Sequence, residues 1–139
     1  MYEEERMKEL VERYNLDLAK LAAEQIKLAK NLSLKDNINF SLAERIAGID
    51  CVFLKNRIIS AIVVLQNGEV IEQEYAAEKT TFPYIPEYES YRFIPSMIQA
   101  FQMLDETPDI VFIHGGGILH PRGLGIASHF SLAANVPTL

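Results

Sequence analysis

The sequence predicts an α/β fold: a three-stranded antiparallel meander followed by an α-β-α-β alternation, with an N-terminal amphipathic helix ahead of it. Three observations predict this class. Three segments rich in β-branched residues follow one another between residues 45 and 77, parted by two-residue turn signals. A short apolar run, Ile110–Ile113, empties into Gly115, Gly116 and Gly117, as open α/β sheets do where they build sites beyond their strand ends. The segments flanking that run carry apolar residues at helical spacing. A chain of 139 residues supplies one core and is too short to expect two.

The elements follow in order. Residues 2–30 set Leu10, Tyr14, Leu16, Leu18, Leu21, Ala22, Ile26 and Leu28 among Glu, Lys and Arg, which predicts one amphipathic helix or two with the break near Asn15. Residues 33–42 are polar, punctuated by Asn and Asp, and read as a connector. Residues 45–54, 57–66 and 69–77 read as strands, with Lys55-Asn56 and Asn67-Gly68 as tight hairpin connections. The middle strand is almost wholly apolar, so cover on both faces is expected. Residues 80–86 are proline-punctuated and cannot form regular helix. Residues 95–104 predict a helix with Pro95 at its first position. After the strand Ile110–Ile113, residues 121–134 read as helix and residues 136–139 as the opening of a further strand. Residues 1–139 therefore read as a single domain whose sheet is incomplete, and a homo-oligomer would cover its open edge.

Composition bounds the function. A hydrophobic fraction of 49% with 23% charged residues is globular, well away from disorder. No apolar run approaches the roughly 18–20 residues that span a bilayer, so no membrane partner is expected. The acidic N-terminus lacks the basic-then-apolar order of a secretory signal. Cys51 is the single cysteine and lies beside Val52 and Phe53, which fits a buried, inert thiol and a cytoplasmic location. A net charge of −6 repels polyanions at long range, yet leaves room for a local basic groove.

The element order is that of the ribonuclease H-like fold, in which strands one and four lie side by side and carboxylates on them bind divalent metal. The corresponding positions here are Asp50 and His114. With these placed, the chain resembles the endonuclease V family, nucleases that cut DNA or RNA near deaminated bases such as hypoxanthine. Residues 23–32 (AEQIKLAKNL) resemble the family's first helix, and IAGIDCVF resembles its first strand with the metal-binding aspartate, Asp50. FPYIP resembles the Pro-Tyr-Ile-Pro wedge. HGGGILHP followed by RGLGIASH resembles the segment that usually runs Asp-Gly-x-Gly-x-x-His-Pro-Arg, then Gly-x-Ala-Ser-His. Three departures accompany the match. His114 stands where the family has an acidic residue. Phe93 stands where it has a glutamate, in a register fixed by Pro86, Arg92 and Pro95. Family members also continue into a lysine-bearing segment and a further metal-proximal residue.

The family reaction is metal-dependent phosphodiester hydrolysis, so the resemblance implies Mg²⁺ or Mn²⁺ as cofactor, Asp50 and His114 as the catalytic and metal positions, and inosine-type DNA or RNA as partner. Mg²⁺ needs a clamp of hard oxygen ligands. Asp50 is one carboxylate, and it reads equally as a strand-end residue capping a turn. His114 can ligate Mn²⁺, Zn²⁺ or Ni²⁺ but serves Mg²⁺ poorly, and a hydrogen-bonded histidine at a strand end is the commoner reading of such a residue. Phe93 replaces a carboxylate under no protonation state, and Glu87 or Glu89 would reach the site only by rearrangement. Weak or absent cleavage is therefore expected. Pro83, Tyr84, Ile85 and Pro86 form the implied wedge, a stiffened projection whose aromatic tip can enter a base stack. Gly115, Gly116, Gly117, His120 and Arg122 form the implied phosphate or base-edge loop. Three functions stay open: a deaminated-base binder with impaired hydrolysis, a non-catalytic oligomeric binding remnant of the family, and a hydrolase with an altered metal site.

Overall fold

A computed structural model describes residues 2–36 and 38–139; Asn37, within the predicted connector, lies outside the described residues. Two helices, α1 (Tyr2–Arg13) and α2 (Leu18–Ala29), open the chain. They part where Asn15 takes φ +50°, and the Asp17 carboxylate accepts the Lys20 N–H at 2.9 Å to cap α2. Strands β1 (Ile46–Leu54), β2 (Arg57–Gln66) and β3 (Glu69–Lys79) form the meander. Its second turn holds Asn67 at φ +53° and Gly68 at φ +80°, the paired positive values of a type I′ hairpin. Helix α3 (Glu89–Gln102), strand β4 (Ile110–Ile113) and helix α4 (Ile126–Ala134) follow.

The sheet order is β3-β2-β1-β4, antiparallel across the meander and parallel where β1 meets β4. Beyond β4, Thr138 bridges Val111 in parallel, and the Ile113 N–H donates to the Leu139 carbonyl at 2.8 Å. The chain thus belongs to the ribonuclease H-like class that its element order predicts. No helix among the described residues is long and apolar enough to cross a membrane.

Both helices after the meander dock on one face of the sheet. Ile49, Ile62, Val64 and Val111 meet Ile94, Met97, Ala100 and Phe130 there in one core. The opposite face carries Val52, Tyr75 and Phe112 at 55%, 67% and 49% exposure. This corrects the expectation that β2 is covered on both sides: Ile58, Ile62 and Val64 are buried, while Ala61 and Leu65 are exposed. An alternating strand sends neighbouring side chains to opposite faces, and only one face receives helices.

Two helix starts also differ from expectation. Helix α3 begins at Glu89, so Pro95 lies in its interior and denies the Tyr91 carbonyl its usual donor. Burial of Ile94, Ser96, Met97 and Ala100 against the sheet holds the helix through that loss. Helix α4 begins at Ile126, five residues later than its apolar pattern suggests, because residues 121–125 fold as turns with Gly123 at φ +70°.

Candidate functional site

The parallel pairing of β1 with β4 sets Ile49 against Ile113, so Asp50 and His114 come next to each other where β4 ends. Both are exposed, and both line a wide, shallow cleft of about 840 Å³ with Gly48, Val63 and Phe112. One Asp50 oxygen accepts the Cys51 N–H at 2.8 Å. Among the described residues no group of three or more His, Cys, Asp or Glu is placed to hold a metal ion. One carboxylate and one imidazole do not fit the oxygen-rich octahedral shell of Mg²⁺.

Phe93, where the resemblance puts a carboxylate, packs edge-on against Phe53 with ring centroids 5.0 Å apart and borders the core. The Arg92 guanidinium lies 4.4 Å above the same Phe53 ring and donates to the Phe82 carbonyl at 2.9 Å. An aromatic pair thus stands in a place that would otherwise need a desolvated charge. Beside Asp50, Cys51 is half-buried, with its sulfur 3.0 Å from the Ser60 hydroxyl, which donates to Ser96 at 2.8 Å. Burial pushes the thiol pKa up, which keeps it protonated and unreactive.

The Pro83–Pro86 segment has a clear polarity. Pro83 and Ile85 are buried and Tyr84 is 58% exposed, so Ile85 anchors the loop and the tyrosine projects. In this conformation only Tyr84 and Pro86 of the four can touch a ligand. The Tyr88 N–H donates to the Ile85 carbonyl at 3.0 Å, closing a turn with Pro86 and Glu87 at its centre. Glu87 takes φ +69° there, the position of a type II turn that ordinarily needs Gly or Asn, at a cost of about 1–2 kcal/mol.

That turn is tied down from two directions. The Glu87 carbonyl accepts from Gln25 Nε2 at 3.0 Å, His120 Nε2 at 2.8 Å and Arg122 Nη2 at 2.9 Å. Its carboxylate pairs with Arg122 Nη1 at 2.9 Å, and Arg122 Nε donates to Gln25 Oε1 at 2.6 Å. The guanidinium also stacks 4.5 Å from the Tyr88 ring centre. His120 must donate through Nε2 and accept the Arg122 N–H at Nδ1, which fixes one neutral tautomer. Arg122, expected near a helix start to contact phosphate or a carboxylate, meets the Glu87 carboxylate and is thereby bound to α2 and this turn. Glu87, weighed as a replacement carboxylate, is bound to Arg122.

The glycine loop joins this cluster to the cleft. Its carbonyls face inward: Gly116 accepts the Ala127 N–H and Gly117 accepts the Gly125 N–H, each at 3.0 Å. A β-carbon at Gly125 would lie 2.1 Å from the Gly116 carbonyl oxygen, so the loop and the start of α4 can touch only with glycine at that position. Behind them, His129 Nδ1 lies 2.9 Å from the buried Ser90 hydroxyl, and its ring meets Tyr91 edge-on. Burial lowers the His129 pKa, against a smaller upward pull from Glu24. Burial first, then Glu24, pushes Tyr91 up to about 12.

Two residues escaped the sequence reading. Gln25 is fully buried on an otherwise amphipathic helix, and its partners Glu87 and Arg122 lie 62 and 97 residues away. Gly125 reads as one more glycine in a rich segment. The signal for Gln25 was present within the resemblance over residues 23–32; for Gly125 it lay in the Gly-x-Ala-Ser-His pattern.

A model of the endonuclease V family matches residues 26–139. The catalytic domain of human endonuclease V aligns at 27% identity and a TM-score of 0.79, over 86% of this chain and 55% of that one. The endonuclease V of Streptomyces avermitilis aligns at 28% identity and 0.80, over 86% and 54%. The endonuclease V of Ciona intestinalis, solved with a 24mer DNA containing an inosine followed by a ribo-adenosine, aligns at 24% and 0.81, over 87% and 55%, a likeness of fold. The chain spans about half the length of these solved structures.

Proposed function

The chain belongs to the endonuclease V family, and from that premise we propose that it binds DNA or RNA carrying a deaminated base such as inosine, with phosphodiester hydrolysis impaired or lost. The observation that carries this reading is the contrast in upkeep between two parts of the site. Tyr84 projects from a loop anchored by buried Pro83 and Ile85, whereas the cleft offers only Asp50 and His114 as donors, and Phe93, where the resemblance puts a further carboxylate, packs on Phe53. An exposed aromatic on a stiff turn can enter a base stack at a cost of a few kcal/mol of unstacking. The backbone of Gly115, Gly116 and Gly117 lies between that turn's clamp and the cleft, where it can meet phosphate or a base edge.

Hydrolysis needs charge neutralised at both the attacking and the leaving oxygen. Asp50 can orient a water by hydrogen bonding, and His114 beside it can accept or donate a proton. Neither neutralises a phosphodiester dianion-like transition state, so no cleavage step is assigned to the pair. Mg²⁺ or Mn²⁺ belongs to the family reaction, and the donor set here does not fit Mg²⁺. A cytoplasmic location rests on the reduced, hydrogen-bonded Cys51.

The test is binding and cleavage of inosine-containing DNA and RNA, with undamaged strands as controls, in Mg²⁺ and in Mn²⁺. Selective binding that Tyr84→Ala weakens, without cleavage, is expected. Robust turnover abolished by Asp50→Ala would overturn the loss of catalysis. A second reading, an oligomeric protein-binding remnant, is favoured by the open apolar face around Val52, Tyr75 and Phe112. Sedimentation equilibrium separates it: self-association with no preference for inosine would replace the first reading.

A further inference from the structure

We propose that Gln25, His120 and Arg122 form a positioning clamp that holds Glu87 in its left-handed turn and so presets Tyr84 as a projecting wedge. The inference rests on the reading of Tyr84 as a nucleic-acid contact, and it assigns Arg122 a role through the wedge turn instead of through phosphate.

The geometry carries it in three steps. A carbonyl oxygen has two lone pairs, yet three donors from α2 and the loop after β4 converge on that of Glu87 within 2.8–3.0 Å. A convergence of that kind orients the carbonyl, and the carbonyl direction of the third turn residue fixes how the chain leaves for α3. Glu87 needs that restraint because its φ of +69° is unfavourable for a residue with a β-carbon. The same turn begins at Ile85, next to Tyr84, so its orientation sets the direction in which Tyr84 stands away from buried Pro83 and Ile85.

The chemistry of Arg122 agrees. Its Nε, Nη1 and Nη2 are all engaged, with Gln25, the Glu87 carboxylate and the Glu87 carbonyl, and its flat face covers Tyr88. Its side chain is 16% exposed. A phosphate would have to displace a carboxylate and a carbonyl to reach it. A lysine could keep the charge but neither the fork nor the stacking.

The chain has no tryptophan, so Tyr84→Trp supplies a unique fluorescence reporter at the wedge tip. Time-resolved anisotropy of that variant, without nucleic acid, should decay mainly with whole-body tumbling. Adding Arg122→Ala or Arg122→Lys should add a fast local component of similar size in both. Adding Glu87→Gly to the Arg122→Ala background should reduce that component, since glycine takes the turn's positive φ unaided. With Tyr84 retained, Arg122→Lys should weaken inosine-strand binding about tenfold, the cost of immobilising one freed side chain. The slope of log K against log[salt] should stay unchanged.

An unchanged anisotropy in both Arg122 variants overturns the clamp. So does a normal affinity in Arg122→Lys with a salt slope reduced by about 0.7–0.9 in Arg122→Ala, which marks a phosphate contact. Circular dichroism establishes that each variant is folded, and Arg122→Lys, which keeps stem and charge, serves if the alanine variant is not. Failure of the parent chain to bind inosine strands would remove the functional premise and leave the anisotropy result standing, so the two failures are distinguishable.

Discussion

The wedge turn and the Asp50–His114 cleft lie at opposite ends of one glycine loop and are built to opposite specifications. At the turn, a strained glutamate is held by three donors on its carbonyl, an ion pair and a stacked guanidinium. At the cleft, two exposed side chains face solvent, and Phe93, where the family resemblance puts a carboxylate, packs instead on Phe53 beside the core. Order costs free energy, and here the hydrogen bonds that offset it are concentrated at the turn, while Asp50 at the cleft accepts one from the Cys51 N–H. On the proposed function, the difference teaches that a recognition scaffold and a reactive centre are physically separable in this fold: one is a network of paired groups, the other exposed side chains that contribute little to holding the fold.

The largest expected effect strikes the loop joining the two regions. Gly125→Ala drives a β-carbon into the Gly116 carbonyl and should cost about 3 kcal/mol in urea denaturation, through backbone shifts at both ends. A cost near zero would show that the loop slides freely and that the two regions are not rigidly coupled. Next, Arg122→Ala should lose about 2 kcal/mol, as charge-assisted hydrogen bonds to Gln25 and the Glu87 carbonyl disappear. The ion pair itself adds little to that figure, since the Glu87 side chain is half exposed.

Phe93→Glu should cost about 1–2 kcal/mol by removing the edge-on contact and placing a charge beside the core. Combined with His114→Asp, it should give Mn²⁺-dependent thermal stabilisation that the parent chain lacks. Equal stabilisation of the parent would mean that Asp50 and His114 suffice for a metal. Smaller still is a pH effect behind the clamp. Burial lowers the His129 pKa in the fold, so the unfolded chain takes up a proton first, and stability falls as pH drops below 6.5 towards the folded value. His129→Gln should flatten the denaturation midpoint across that window; an unchanged slope would place the acid sensitivity elsewhere. Asp50→Ala should alter stability by no more than about 0.5 kcal/mol, because among the described residues the exposed carboxylate bonds only its neighbour's N–H. A loss as large as that of Arg122→Ala would erase the contrast between the two regions.

The sequence by itself determined the strands and the turns between them. Runs rich in β-branched residues, the apolar run ahead of the glycines and the Asn67-Gly68 pair are local signals, and β2 and β4 fall where those signals put them, with β1 starting one residue later at Ile46 and β3 running two residues further to Lys79. The resemblance carried Asp50 and His114 to one place, and the parallel register of β1 with β4 brings them together. Tertiary structure alone decided the rest. Helix starts at Glu89 and Ile126 follow from packing and turn closure, which outweigh the preference of Pro95 for a first turn and the apolar pattern ahead of Ile126. Which face of β2 is covered depends on where α3 and α4 dock, and an apolar strand does not encode that. The clamp is the sharpest case. Gln25 is an ordinary polar residue in sequence, and Glu87, His120 and Arg122 stand out there for other roles; their joint role arises from hydrogen bonds spanning 33 to 97 residues, which no local pattern contains.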